Sequence, residues 1–169
     1  WTHLWPNLYK EDVSSLKRSK YIHEIRGEFF HAINRHLRGL PDSSSPWGFK
    51  VPKSILFLPF LYDIFPKMKF IHVIRNGLDM VYSRNWRVRF NGELVLEREE
   101  QKQPEYIQCI IYWSRINRMA SEYGEKHLGD NYIRFRFENM CYDPRNVIQR
   151  ILDFLGIPKM QNKDAALAE

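Results

Sequence analysis

The sequence predicts an α/β fold, a parallel sheet with helices on both faces, and three observations predict it. Lys69-Phe-Ile-His-Val-Ile74 is an apolar run delivering Arg75, as a buried strand would. Tyr132 to Phe137 alternates apolar and basic residues and reads as a second strand. Stretches with helical spacing lie before, between and after these two, and strands alternating with helices give a parallel sheet. No internal repeat is visible, and the one break suited to a linker is 39–46, so residues 1–169 are expected to form a single domain.

In chain order, Trp1 to Lys10 is aromatic, carries Pro6 and is expected to lie extended on the body. From Glu11 to Leu37 the apolar residues Val13, Leu16, Ile22, Ile25, Phe29, Ile33 and Leu37 recur at helical spacing. Gly39, Pro41 and Ser43 to Pro46 break the chain. Trp47 to Pro52 reads as a short strand or strand end, and a helix over 53–65 stops before Pro66. After the strand at 69–74, Asn76 is placed as an N-cap with Asp79 at the third helical position, a capping-box-like start for a helix from Gly77. Asn91-Gly92 reads as a turn and the charged run Glu97 to Lys102 as a solvated loop. A long helix is predicted from Pro104 to Lys126, with Ile107, Ile110, Ile111, Ile116 and Met119 inward. Asp143-Pro144 starts a last helix, with Asp as cap and Pro at the first position, and Gly156 with Pro158 ends it. The tail 159–169 is expected to be loosely held.

Composition narrows the function. The 169 residues suffice for a real core, 44% are apolar, and the mean hydropathy of −0.51 is that of a soluble globular chain. No apolar run approaches the ~20 residues of a membrane helix. The opening Trp1-Thr2-His3-Leu4-Trp5 lacks the basic-then-apolar build of a secretion signal, and the missing initiator Met leads to the expectation of a partial chain. Net charge +6 and a pI near 9.3 favour anionic partners. Cys109 and Cys141 form no metal-ligand spacing, and a reducing, cytoplasmic location is expected. No HExxH, paired-cysteine, Ser/His/Asp or GxxxxGK[ST] signature is present, and no metal is expected.

The chemistry concentrates on Arg75 and Ser83. A strand brings Arg75 to the sheet edge and the next helix brings Ser83 round to it. Guanidinium, hydroxyl and helix-start amides together suit a phosphate. On the alternative reading Arg75 pairs with a carboxylate and Ser83 is a helix-surface hydroxyl. Asp79 is explained by its helix position alone. His72, in mid-strand, reads as a buried, hydrogen-bonded residue rather than a base. Arg134 and Arg136 could line a cleft edge or face water, and Arg84, Arg87 and Arg89 read as a solvated basic face. His23, His31 and His36 have no standard metal spacing.

These residues lie in a longer pattern. Trp47-Gly48-x-Lys50-x-Pro52, a helix, and Phe65-Pro66-x-Met68-Lys69-Phe70-Ile71 lead to Arg75, with Asp79 and Ser83 four and eight residues on. Tyr132-Ile-Arg-Phe-Arg-Phe-Glu138-Asn-Met-Cys-Tyr-Asp143-Pro144 follows, then a helix ending Phe154-Leu155-Gly156-Ile157-Pro158. The long helix between them carries Trp113 and Asn117. Over 47–158, in order and spacing, this resembles the sulfotransferases that use 3′-phosphoadenosine-5′-phosphosulfate (PAPS).

The resemblance implies a three-layer, P-loop-nucleotide-hydrolase-like domain and transfer of a sulfuryl group from PAPS to a hydroxyl or amine, leaving 3′-phosphoadenosine-5′-phosphate (PAP). It implies that Arg75 and Ser83 bind the 3′-phosphate, and that Lys50, two residues before Pro52, is the catalytic cation facing the sulfuryl group, with Lys53 a weaker substitute. It gives Glu138 an architectural place, bonding backbone amides, and puts Phe137 where the family usually has Tyr. The chain departs from the family at the 5′-phosphosulfate loop. Its one threonine is Thr2, and none of its eight glycines stands in a Pro-x-Ser-Gly-Thr-like context. The expectation is that the N-terminal strand and loop lie upstream of this sequence. The general base is then unassigned, with Glu24 and Glu28 as candidates by default. The acceptor and the oligomeric state are not written in the sequence. A catalytically incomplete PAP-binding or interaction module is the rival function. A nucleic-acid binder, suggested by the pI and the 15% aromatic content, is a lesser one without a recognition motif, so no nucleic-acid partner is expected.

Overall fold

The structure is a computed structural model that describes residues 20–39, 46–83, 92 and 95–157. The expectations for residues 1–19, for most of the 39–46 break, for Arg84, Arg87, Arg89 and Asn91, and for the tail from Pro158 on lie outside the described residues.

Strand β1 (Phe70–Ile74) pairs in parallel with β2 (Tyr132–Arg136), Phe70 opposite Tyr132 and Ile74 opposite Arg136. The parallel pairing expected from the alternation of strands and helices is therefore present, in an α/β fold with a small sheet. Among the described residues the sheet has two strands.

Helix α1 (Lys20–Leu37) precedes the sheet. The helix predicted for 53–65 is in two pieces, a 3-10 turn over Ser54–Phe57 and α2 (Leu58–Ile64), with Pro59 in its first turn and Phe65 as its C-cap. Proline is tolerated there because the first helical N–H groups have no partner within the helix. Helix α3 (Gly77–Tyr82) leaves β1 after the two-residue turn Arg75–Asn76. The run read as a solvated loop contains a one-turn helix, α4 (Arg98–Gln101), closed at its start by a reciprocal capping box between Glu97 and Glu100. Its folding has a tertiary cause. Arg115 grips Glu100 with two hydrogen bonds of 2.7 Å and also donates to the Val95 carbonyl at 2.7 Å. That fork holds the Glu100 carboxyl below its ordinary pKa.

The long helix α5 (Glu105–Tyr123) passes into a π turn over Gly124–Leu128 before β2. A Cβ at Gly124 would lie 2.3 Å from the Tyr132 ring, so glycine is required for the chain to pass under that ring. After β2 the chain turns at once into α6 (Phe137–Tyr142), which places Glu138 in a first helical turn. Asp143 caps α7 (Pro144–Leu155), accepting from the Asn146 N–H at 3.2 Å, and Gly156 ends it at φ +74°, both as the sequence predicts. Positive φ is the left-handed region that glycine enters without steric cost.

One core cluster joins α2 to α5 and the π turn, with Leu58 and Ala120 fully buried beside Leu128. Phe70 and Tyr132 pack against this cluster, their rings stacked 6.3 Å apart. The opposite face of the sheet carries Phe135, whose ring has the Arg150 guanidinium of α7 over it at 5.0 Å. Lys69 ties α7 to the start of β1, donating to the Phe154 carbonyl and lying over its ring.

Candidate functional site

The turn leaving β1 is held residue by residue. The Arg75 carbonyl accepts the indole N–H of Trp113 at 3.0 Å. The Asn76 N–H donates to a Glu138 carboxylate oxygen at 2.7 Å. Gly77 lies under the Trp113 ring, where a Cβ would come within 2.8 Å of it. Asn76 caps α3 as predicted, its side-chain oxygen accepting the Leu78 N–H at 3.0 Å. The capping box expected with Asp79 is not formed. Glu138, 62 residues away, takes the N–H that Asp79 would have taken.

Asp79 instead accepts Arg75 Nε at 2.9 Å. Asp79 lies in the first turn of α3 and Ser83 is its C-cap, whereas Arg75 stands in the turn ahead of the helix. The guanidinium carbon lies 5.5 Å from the centre of the Phe137 ring, within cation–π range. The Arg75 side chain is 54% exposed. Ser83 is the exposed C-cap of α3, and its hydroxyl donates to the Met80 carbonyl at 3.0 Å. In this arrangement Arg75 is paired with a carboxylate and Ser83 with its own helix. The paired carboxylate engages Nε, which leaves the geometry of the terminal fork intact for a planar or tetrahedral anion. Helix α3 has six residues. Its dipole is correspondingly small, so side chains rather than a helix start must supply most of the attraction expected at this edge.

Behind the turn, a buried polar network ties the strand to the long helix. Asn117 donates its amide N–H to the Trp113 carbonyl at 2.7 Å, so its oxygen faces His72 Nε2 at 3.0 Å, and that nitrogen must carry the proton. His72 Nδ1 then accepts from the Tyr132 hydroxyl at 2.7 Å, and Ser121 Oγ lies 3.4 Å from the same hydroxyl. Burial lowers the His72 pKa, opposed in part by the Asn117 hydrogen bond, and Arg134 adds to the lowering. His72 is thus a buried, hydrogen-bonded residue, as its mid-strand position predicts.

Lys50 is exposed on the segment 46–51. That segment is fixed through its neighbours: the Trp47 ring meets Phe65 edge-on at 5.6 Å, Phe49 meets Phe29 at 6.2 Å, and His36 Nε2 bonds the Gly48 carbonyl at 3.0 Å. No described contact joins Lys50 to Arg75 or Ser83. Lys53 is exposed ahead of the 3-10 turn. Arg134 lies 3.4 Å from Glu125, and Arg136 is exposed. Glu28 is exposed on α1, and the Glu24 side chain lies outside the described residues. Cys141 is exposed, Cys109 is buried, and both are free. Among the described residues no His, Cys, Asp and Glu grouping could hold a metal ion, and no helix is long and apolar enough to cross a membrane.

The fold and this edge define an α/β protein whose first parallel strand ends in a braced cationic turn. A family model described as the sulfotransferase family matches residues 6–162. The chain belongs to the sulfotransferase family, whose general chemistry is sulfuryl transfer, and the match reaches well upstream of the motifs that begin at Trp47. No curated protein and no solved structure matches it.

Proposed function

We propose that this chain takes part in moving a sulfuryl group from PAPS to a hydroxyl or amine acceptor, on a three-layer, P-loop-like sheet of which β1 and β2 are two strands. In this reading the Arg75 fork and the Ser83 hydroxyl hold the 3′-phosphate. The Lys50 ammonium neutralises charge that builds on the bridging oxygen as the S–O bond breaks. The acceptor oxygen or nitrogen attacks sulfur in line, its proton goes to a base, and PAP leaves. The donor set suits a phosphate: a guanidinium offering two parallel donors, with a hydroxyl eight residues on, at the end of α3. No step needs a metal.

The observation carrying this reading is the bracing of the Arg75 turn by Trp113 and Glu138 within a chain of the sulfotransferase family. The test is calorimetric titration with PAP, using adenosine 5′-monophosphate as control. Selective PAP binding that falls roughly 10- to 100-fold in Arg75→Ala, the loss of one or two charge-assisted bonds, supports the site. Unchanged affinity in a folded Arg75→Ala variant removes it.

A second reading, a PAP-binding module without turnover, is favoured by one feature: no glycine of the chain stands in a phosphosulfate-loop context. It predicts PAP affinity with no sulfuryl transfer to any acceptor.

A further inference from the structure

We propose that Trp113 is a positioning residue for the anion site, acting through Arg75. The inference rests on the reading of Arg75 given above and goes beyond it in naming what sets the arginine's direction.

Trp113 reaches the turn twice. Its indole N–H bonds the carbonyl of Arg75, and its ring covers Gly77 so closely that no Cβ fits between them. The residue between, Asn76, is held from the other side by Glu138. Carbonyl, amide and α-carbon of three successive residues are therefore each fixed by a side chain from elsewhere in the fold. One turn further along α5, Asn117 bonds His72 at 3.0 Å. His72 on β1 and Arg75 in the turn just after it thus meet Asn117 and Trp113 on α5 as two successive rungs, with strand and helix running in opposite directions. Two rungs fix the rotation of the strand end against the helix, where one would leave it free to pivot. The Arg75 side chain leaves the backbone within this clamped turn, and Asp79 and the Phe137 ring then orient its guanidinium. A change of about an ångström at the backbone would carry through to the guanidinium, and displacements of that size are costly in binding sites. Trp113 touches neither phosphate nor sulfur in this scheme, so it positions and does not catalyse.

The test is a double-mutant cycle on PAP affinity. Trp113→Phe keeps a ring against Gly77 and deletes the N–H donor. It is expected to weaken PAP binding about five- to tenfold, the worth of one hydrogen bond, and the loss should shrink to under twofold when Arg75 is already alanine. Gly77→Ala pushes on the same ring from the other side and is expected to show the same dependence on Arg75. Equal losses with and without Arg75 would mean that Trp113 matters only for general stability, and would overturn the inference while leaving the arginine site standing. An Arg75→Ala variant that binds PAP normally would overturn the site itself. A ligand-free measurement separates the two further. Hydrogen exchange at the Asn76 amide should speed up about fivefold in Trp113→Phe as the clamp loosens. Unchanged exchange overturns the clamp whatever the outcome with PAP.

Discussion

His72 and Asn117 meet across the seam between β1 and α5, imidazole N–H to amide oxygen at 3.0 Å, in a network that leaves no described buried side-chain polar atom unpartnered. The groups facing the imidazole are Tyr132 and Arg134 from β2 and Asn117 from α5, with Ser121 behind Tyr132 and Glu125 beside Arg134. The folded protein therefore holds His72 neutral below its ordinary pKa of 6.5.

The pH dependence follows from that asymmetry. As pH falls through 6.5 the unfolded chain takes up a proton that the folded chain refuses, so the unfolded state gains. Stability should be full above pH 6.5 and decline below it, until the folded pKa is reached, at no more than about 1.4 kcal/mol per pH unit from this residue. Urea titrations at pH 7.5 and pH 5.5 compare wild type with His72→Gln. The variant should be less stable at pH 7.5 and lose less on acidification; an equal loss in both proteins would place the acid sensitivity elsewhere.

Glu138 has two separable properties, an acceptor oxygen and a charge. Glu138→Gln keeps an acceptor for the Asn76 N–H, whereas Glu138→Ala leaves that amide to solvent. Because the pair is exposed, Glu138→Ala is expected to cost about 1 kcal/mol of stability, near the middle of the range for a hydrogen bond, and Gln less than half of that. PAP affinity should follow the same order, since both depend on the turn. Thermal unfolding and PAP titration of the two variants check it, and an alanine variant indistinguishable from wild type in both would remove Glu138 from the clamp.

Gly124→Ala should destabilise by about 1–3 kcal/mol, the range for overpacking. A Cβ would stand 2.3 Å from the Tyr132 ring, which itself stacks on Phe70 and bonds His72, so the ring cannot yield without disturbing both. Gly27→Ala in α1 makes the control, because a Cβ there meets nothing and its backbone is helical. If the two variants melt alike, the close approach at Gly124 is not what requires glycine.

Lys50→Ala, measured in protein that transfers sulfuryl groups, should lower turnover more than it lowers PAPS affinity. Charge on the bridging oxygen grows only as the bond breaks, so a cation there matters most in the transition state. The reverse pattern would make Lys50 a binding residue.

What the sequence reveals here is what is decided locally. Asn76 and Asp143 cap helices through their own side chains, Gly156 stops a helix through its own backbone, and a run of apolar residues makes β1; each needs only neighbours within a few positions. Arg75 was visible as a strand-end cation for the same reason. The capping-box pattern gives the Asn76 amide to Asp79, three residues on, because proximity in sequence is all that such a pattern contains. The partner in the fold is Glu138. Likewise Glu97 to Lys102 has the composition of a loop, and only the Arg115 fork, arriving from α5, makes α4 worth forming. Trp113 and Asn117 fit a long helix like any of their neighbours. That they face His72 and the Arg75 turn depends on how α5 docks against β1, which helical spacing does not encode.

The parallel pairing has a last consequence. His72 and Tyr132 are 60 positions apart, and Glu138 follows the second strand immediately. Joining residues so distant along the chain carries the entropic cost of closing the loop between them. The Glu138 brace exists only once β1 and β2 are joined, so the proposed anion site depends on the completed fold rather than on its own segment. On the proposed function, affinity for PAP would measure two things at once, the quality of each site and the fraction of chains that possess one. A change at Gly124, remote from the arginine in sequence, would lower the second without altering the first.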